Sequence, residues 1–252
     1  MAEILQSEIP ADMRHQWDLP GVRPLAEPWL RVDDAYADQM EHRRHLLALQ
    51  SEAVHFMDPA AEPACNEVLD EALMFLPSLG FDITAGSVTG PDGIVTPLDR
   101  NAPLSTLGHM VQEDICIMEK RGPEHVLTAA VLCFPASWRL AEKAGRPLAA
   151  IHAPVEEYDE ALARRVQRLF DGVQVGRPLW RFNRLWYQDP ELFQPRSAEE
   201  PRRDDPGEDA ARYVRAERQC IVRLPRTRAC VFSIHTYVAR RPATAAANNP
   251  AA

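Results

Sequence analysis

The sequence lacks the signature motifs of several common enzyme classes. It has no Gly-x-Gly-x-x-Gly, no P-loop, no Gly-x-Ser-x-Gly and no His-Glu-x-x-His. These absences argue against a Rossmann dinucleotide site, nucleotide hydrolysis and a simple serine hydrolase. Any redox chemistry would therefore depend on a bound prosthetic group or on electrons from partner chains.

Long apolar runs and dense basic blocks are also missing. No apolar run approaches the length of a membrane span. The formal net charge is −9, and no cluster of Lys and Arg is dense enough to form a basic stripe. We therefore expect neither a membrane nor a nucleic acid as a partner.

Cysteines are few and far apart, and the N-terminus has no secretory pattern. The five cysteines include no Cys-x-x-Cys pair, and most lie in predicted strands, which is typical of reduced, buried thiols. Residues 1–16 lack a basic start followed by an apolar segment, so no signal peptide is predicted. These features favour a cytoplasmic location.

Glycine is scarce relative to proline, with 11 glycines against 22 prolines. This balance indicates many fixed turns rather than one long helical bundle.

Prolines punctuate residues 1–31, which we interpret as an arm on the surface, followed by a single domain over 32–240. Within it, the charged segment 196–211 is predicted to be a solvated loop or a disordered insertion, and 241–252 a flexible tail.

The hydrophobic periodicity predicts an α+β fold. Helices are expected from Asp33 to Val54 and over 64–76, and a β-hairpin within 81–98. An amphipathic helix is predicted over 156–170. Alternating patterns predict strands that include Glu113–Lys120, 126–134, 178–187 and two near the C-terminus. We therefore expect a largely antiparallel sheet with flanking helices and an N-terminal helical extension.

One stretch, residues 127–155, combines a buried strand with a rigidly held histidine. Pro135 ends the strand, Ser137 is predicted to cap a short helix, and Gly145 to end that helix. His152 then lies in an apolar turn stiffened by Pro154. Such an imidazole suits haem iron or another metal, although ordinary half-buried histidines have the same sequence pattern.

A second pair of histidines, His42 and His45, is three residues apart on a predicted helix. No carboxylate or cysteine motif completes a metal site there. Arg43 and Arg44 between them suggest a solvated face, so we predict solvent or salt-bridge roles for both histidines.

Several segments resemble, in order, the haem-dependent oxidative N-demethylase alpha-subunit family. The resemblance covers roughly residues 30–240. The segments are VQEDICIMEK from Val111, VLCFPASWRLAEKAGRPLAAIHAPV from Val131, RPLWRFN from Arg177 and RAERQCIVRLPRTRACVFSI from Arg215. One position departs from the family pattern, because Arg184 rather than tryptophan follows Asn183.

The resemblance implies a PAS-like fold that binds haem b. It also implies a monooxygenase-type reaction in which O2 is consumed and a methyl group of a small secondary amine, such as dimethylamine, leaves as formaldehyde. Electrons would come from separate flavin and iron–sulfur subunits.

The same resemblance points to residues for the cofactor site. His152 is the expected axial ligand of the iron. His235 is the second candidate for this ligand, although it could instead occupy an exposed position on its strand. His109 is a weaker third candidate. Lys143, Arg181 and Arg218 are expected near the haem propionates, although each could instead form a surface or fold-holding ion pair. Trp138 would form a wall of the pocket or part of the core.

Glu113 and Asp114 are the candidate catalytic carboxylates. At the distal face, they would hold a dimethylammonium ion or transfer protons to bound oxygen. Their ordinary alternative is a pair of acidic residues in water at the start of a strand.

Two other functions remain open from the sequence. A PAS-like fold also suits a haem- or small-molecule-binding sensor or interaction module without turnover. A degenerate homologue that has lost haem and acts as a structural partner is the third possibility.

Overall fold

The computed structural model describes residues 3–14, 21–152, 160–201 and 206–241. For residues 152 and 160 it describes the backbone alone. The turn predicted after His152, including Pro154, therefore lies outside the described residues. So do the start of the helix predicted over 156–170 and almost all of the predicted flexible tail.

The described residues form ten strands and eight α-helices. In chain order the strands are β1 Arg23–Pro24, β2 His55–Met57, β3 Asp82–Ile83, β4 Ser87–Thr89, β5 Val95–Pro97, β6 Asp114–Arg121, β7 Glu124–Val131, β8 Leu179–Tyr187, β9 Tyr213–Arg223 and β10 Cys230–Arg240. The helices are α1 Tyr36–Leu49, α2 Ser51–Val54, α3 Glu62–Phe75, α4 Pro103–Gly108, α5 Leu140–Lys143, α6 Leu148–His152, α7 Glu160–Gly172 and α8 Gly207–Ala210.

Seven strands form one sheet in the order β1-β8-β9-β10-β6-β7-β2. All of its neighbouring pairs are antiparallel, and β3, β4 and β5 form a separate small meander. The helices α5, α6 and α7 connect β7, near one edge of the large sheet, to β8, near the other. The predicted α+β class with a largely antiparallel sheet is confirmed.

One face of the large sheet packs against the N-terminal helices, and we call it the N-terminal face. Its side chains include Ile117 and Val231, which share a buried core with Met40 of α1, Val68 of α3 and Leu107 of α4. Alternation along each strand sends every second side chain to this face.

The opposite face, which we call the crossover face, packs against the connection from β7 to β8. Cys116 and Ile221 lie on this face, in a second core that includes Leu148 and Ile151 of α6 and Phe170 of α7. Burying each such leucine, isoleucine or phenylalanine contributes roughly 1.5–3 kcal/mol. This burial fixes α6 and α7 against the sheet.

The segment predicted as a surface arm is partly built into the fold. Met13, Trp29 and Leu30 are buried, and β1 adds an edge strand to β8. Gln6 also joins the arm to β10, because its backbone N–H donates to the carbonyl of Val238 at 2.9 Å.

Two local predictions were wrong in detail, and a third holds only in part. Ser137 does not cap a helix; it has a left-handed φ of 63° and α5 begins at Leu140. Arg43 does not mark a solvated face, because its side chain is fully buried. The segment 196–211 is not wholly an irregular loop, because α8 forms within it and Ala211 is buried.

Candidate functional site

A row of apolar side chains crosses the middle of the crossover face. Leu179, Ile221, Phe232 and Cys116 are direct partners on β8, β9, β10 and β6, so they point to the same face. Ile221 and Cys116 are buried, whereas Leu179 and Phe232 are only half-buried. The row therefore provides an apolar floor that is accessible only in part, at Leu179 and Phe232, and apolar side chains line most of the surface of cofactor sites.

Polar side chains adjoin this floor on β8 and β9. Glu217 is buried, and its Oε2 accepts hydrogen bonds from Asn183 Nδ2 and Gln219 Nε2, both at 3.1 Å. Its Oε1 accepts from Arg215 Nη2 at 3.4 Å. Arg181 is the direct partner of Gln219, is exposed, and forms no hydrogen bond or ion pair with the described residues. Its guanidinium is therefore available to an anion.

Lys143 provides a second cation on this side of the sheet. Its Nζ lies 4.3 Å from the centroid of the Trp138 ring, and Trp138 packs against the core of the crossover face. Among the described residues, no carboxylate lies within ion-pair distance of Lys143. Burial lowers the pKa of Lys143 to about 8, and Cys116 and Glu142 only partly offset it. An anion bound beside this ammonium would favour its charged form.

His152 is the last residue of α6 rather than part of a turn. Leu148 and Ile151 of the same short helix are buried against the crossover face, which sets the end of α6 over that face. The side chain of His152 lies outside the described residues. Its assignment as the axial ligand stays a prediction.

His235 lies on the opposite, N-terminal face, where a buried charge network surrounds it. Its Nδ1 is 2.9 Å from Glu113 Oε1, and its Nε2 is 3.0 Å from Asp33 Oδ2. The ring also contacts Tyr237, with centroids 4.6 Å apart. Burial alone would lower the pKa of His235, but Tyr237 and the two carboxylates raise it well above its usual value.

This environment changes the interpretation of His235 in two ways. The exposed strand position considered as its alternative was wrong, because His235 is 1% exposed. Both ring nitrogens are engaged by carboxylates, and a protonated imidazole has no lone pair for a metal. The geometry therefore argues against His235 as the axial ligand.

Glu113 and Asp114 are buried and point into different networks. Glu113 Oε1 accepts from the backbone N–H of Arg31 at 2.7 Å in addition to its contact with His235. Asp114 Oδ1 accepts from Arg43 Nη1 at 2.6 Å, and the backbone N–H groups of Cys133 and Phe134 donate to its carboxylate. The water-exposed alternative was wrong, and these partners give the two carboxylates fold-holding roles rather than a free catalytic one.

Arg218 also lies on the N-terminal face, away from Lys143 and Arg181. Its guanidinium donates to the carbonyl oxygens of Trp29 and Pro28 at 3.0 and 3.1 Å. It also pairs with Glu27 at 3.1 Å. These contacts hold the N-terminal arm against the sheet. Arg218 therefore stabilises the fold, as one of its two predicted roles requires, and does not lie where it could contact propionates.

His109 is half-buried just after α4. Its Nδ1 lies 2.7 Å from the carbonyl oxygen of Ser105, one turn earlier. The same carbonyl also accepts from the backbone N–H of His109 at 3.1 Å, so the ring makes a local contact at the end of the helix. Nothing in its described surroundings forms a cofactor site.

Comparison with protein families identifies the family to which the chain belongs. The model of a family described as haem-dependent oxidative N-demethylase, alpha subunit-like, matches residues 21–250. The chain belongs to this family. The match extends over nearly the whole chain and confirms the resemblance found in the sequence motifs. The name of the N-demethylase alpha-subunit-like family indicates haem dependence and oxidoreductase chemistry.

The departure from the N-demethylase pattern at Arg184 lies on the N-terminal face. Arg184 pairs with Ala216 of β9, which belongs to the core of that face. Its guanidinium stacks over Trp186 at 4.8 Å from the ring centroid. A side chain at position 184 therefore points away from the apolar floor of the crossover face.

Three site residues escaped the sequence interpretation: Arg43, Arg215 and Glu217. Arg215 and Glu217 lie on one face of β9, as the alternation predicts, but their burial depends on β8 and on the loop after it. The sequence signals for Arg215 and Glu217 were the family resemblance of the segment that begins at Arg215 and the density of polar residues in a strand flanked by apolar ones. No local sequence pattern indicated that Arg43 is buried, because its partner Asp114 is 71 positions away.

No group of three or more His, Cys, Asp or Glu side chains in the described ranges is arranged to hold a metal ion. No helix in the same ranges is long and apolar enough to cross a membrane.

Proposed function

We propose that this chain is the haem-containing catalytic subunit of an oxidative N-demethylase that acts on a small secondary amine such as dimethylamine. The family match over residues 21–250 carries the proposal. The five central strands, in the order β8-β9-β10-β6-β7, and the helices inserted between β7 and β8 support a PAS-like architecture.

The residues on the crossover face fit a haem b group. The floor that includes Leu179 and Phe232 would contact the porphyrin, which is planar and apolar. Lys143 and Arg181 would meet the propionates, since neither forms an ion pair with a carboxylate of the described residues. Trp138 would form a wall, and His152, at the end of α6, would hold the iron through an imidazole nitrogen.

The overall reaction balances with one O2 and two electrons. Dimethylamine, O2, two protons and two electrons give methylamine, formaldehyde and water. When bound, haem supplies the iron at which oxygen is activated. The chain itself would hold the cofactor by Lys143 and Arg181 and would exclude water by the apolar floor.

The electrons would come from flavin and iron–sulfur subunits, as the sequence lacks the motifs of a nucleotide-binding domain. A cytoplasmic location is also part of the proposal. It is supported by the five cysteines, which are all buried free thiols, the state expected in a reducing compartment.

Product analysis tests the proposed function. Purified protein loaded with haem is mixed with dimethylamine, O2 and a chemical or flavin-based reductant, and formaldehyde and methylamine are quantified. Equal amounts of both products, dependent on haem, are expected. A haem-loaded, reducible protein that shifts its spectrum with amine but releases no formaldehyde would instead identify a sensor.

A further inference from the structure

A cleft outside the crossover face carries an unexplained buried histidine. It has a volume of about 320 Å³ and lies between α1, the start of the described chain and the loop that follows β8. Three carboxylates and three apolar side chains surround the histidine. The lining residues are Glu3, Ile4, His42, Asp189, Pro190, Glu191 and Leu192.

His42 is held rigidly but one of its nitrogens is unsatisfied. Its side chain is 8% exposed, and its ring stacks on Phe134 with centroids 5.8 Å apart and planes 12° apart. Nε2 makes no hydrogen bond within the described residues. A buried polar atom without a partner costs about 1–3 kcal/mol, so a ligand that satisfied it would bind favourably.

The nearest polar group to Nε2 is a carboxylate held in place by the backbone. Glu191 Oε1 lies 3.6 Å from Nε2, beyond hydrogen-bond distance. The same oxygen accepts from the backbone N–H groups of Leu192 and Phe193 at 3.0 and 3.2 Å. Burial lowers the pKa of His42 despite the opposing effect of Glu191, so the imidazole is neutral near pH 7 and does not repel a cation.

The other two carboxylates add negative charge, but they are already engaged. Glu3 accepts from the Tyr213 hydroxyl at 2.6 Å and pairs with Arg240. Asp189 accepts from Gln194 Nε2 at 3.0 Å. The acceptors nearest to each other in the cleft are thus Glu191, whose side chain is partly exposed, and, in its Nδ1-protonated tautomer, the buried and unpartnered His42 Nε2.

We propose that this cleft binds a small alkylammonium ion that carries at least two N–H donors. One nitrogen can donate to both His42 Nε2 and Glu191, because these acceptors are only 3.6 Å apart. Ile4, Pro190 and Leu192 would contact its alkyl groups. The described residues provide no group of three metal-ligating side chains, so an organic cation fits the cleft better than a divalent metal.

This inference does not rest on the proposed demethylase function. His42 belongs to α1, which packs on the N-terminal face, whereas the proposed haem residues lie on the crossover face. Binding at His42 can be measured without haem, reductant or turnover. Either proposal can therefore be refuted without affecting the other.

The test follows the His42 ring by NMR in the full-length protein at pH 7.5. Protein with isotope-labelled histidine is titrated with dimethylammonium, with tetramethylammonium, which has charge but no N–H donor, and with Zn²⁺. The variants are Glu191→Gln, which keeps the oxygen that accepts from the backbone, and His42→Phe, which keeps the stack on Phe134. Glu41→Gln, an exposed carboxylate on the same helix, is the matched charge control.

A saturable shift of the His42 resonances with dimethylammonium is expected. Binding should be about tenfold weaker or worse with tetramethylammonium and in Glu191→Gln, as the loss of a charge-assisted hydrogen bond predicts. Glu41→Gln should bind as the unaltered protein does. For His42→Phe, dimethylammonium binding is followed by calorimetry, and a loss of similar size is expected.

Three outcomes would overturn the proposal. These are no saturable shift with dimethylammonium, equal affinity for tetramethylammonium, and a response to Zn²⁺ alone, which would identify a metal site. If His42→Phe does not fold, the surface variant Glu191→Gln decides the question: unchanged affinity in that variant contradicts the proposal.

Discussion

Asp114→Asn tests whether the buried carboxylate at the start of β6 holds the fold together. The substitution keeps the shape of the side chain but leaves the guanidinium of Arg43 charged and without its counter-ion. Both side chains are essentially inaccessible, at 0% and 1% exposed. The new amide would also place an N–H group opposite one of the two backbone donors, Cys133 or Phe134.

These losses set the expected magnitude. Removing one partner of a buried ion pair costs about 3–5 kcal/mol, because the remaining charge is buried and uncompensated. A domain of this size has a free energy of unfolding of roughly 5–15 kcal/mol, so Asp114→Asn should remove a large share of it. The melting temperature should fall by roughly 6–20 °C.

Urea denaturation followed by tryptophan fluorescence measures the effect. Glu8→Gln is the control, because Glu8 forms an exposed ion pair with Arg14 and such pairs contribute about 0–1 kcal/mol. A change below about 1 kcal/mol in Asp114→Asn, together with lost activity, would refute the structural role. That result would restore Asp114 as a catalytic candidate.

Three further predictions concern other buried charges. The raised pKa of His235 means that its stabilising contribution is fully present below about pH 6.5 and is lost as the pH rises toward the folded-state pKa. The urea midpoint of the unaltered protein should therefore decrease over that range relative to His235→Gln, and parallel profiles would contradict this. Lys143→Met should stabilise the haem-free protein, because burial disfavours the ammonium, and should weaken haem binding about tenfold, as measured by titration of absorbance. Arg218→Ala should leave the Trp29 carbonyl without its donor and cost about 1–3 kcal/mol, and limited proteolysis should then cleave residues 21–31 faster; unchanged cleavage would count against the anchoring role.

Local periodicity explains which parts of the fold could be predicted. β6 and β7 follow from short apolar runs separated by Arg121 and Gly122, and the positive φ of 63° at Gly122 is what such a turn requires. The two long C-terminal strands follow from their alternation. In each case the signal lies within about ten neighbouring residues.

Contacts between distant segments explain the failures. Arg43 and Arg44 look like a solvated pair in the sequence, but Arg43 lies beside the start of β6 and is buried. His235 looks exposed because polar and apolar residues alternate along its strand, yet Asp33, which follows the arm and is 202 positions away, contacts its ring. Buried polar networks of this kind depend on pairing that no local pattern encodes.

The candidate site was partly predictable for the same reason. Lys143, Trp138 and His152 belong to one connection between strands, so the sequence motif brings them to one face. Arg218 and Arg181 are both basic residues on paired strands, and only the register of β8 against β9 shows that they point to opposite faces. A shift of one residue in that register would reverse the assignment.

The absorbance spectrum of purified protein reconstituted with haem tests the central claim most directly. The account predicts a stoichiometric complex with a Soret band that His152→Ala alters strongly, while His235→Gln leaves its position unchanged. A Soret band that is unaffected by His152→Ala, or no haem binding by the folded protein, would contradict the account.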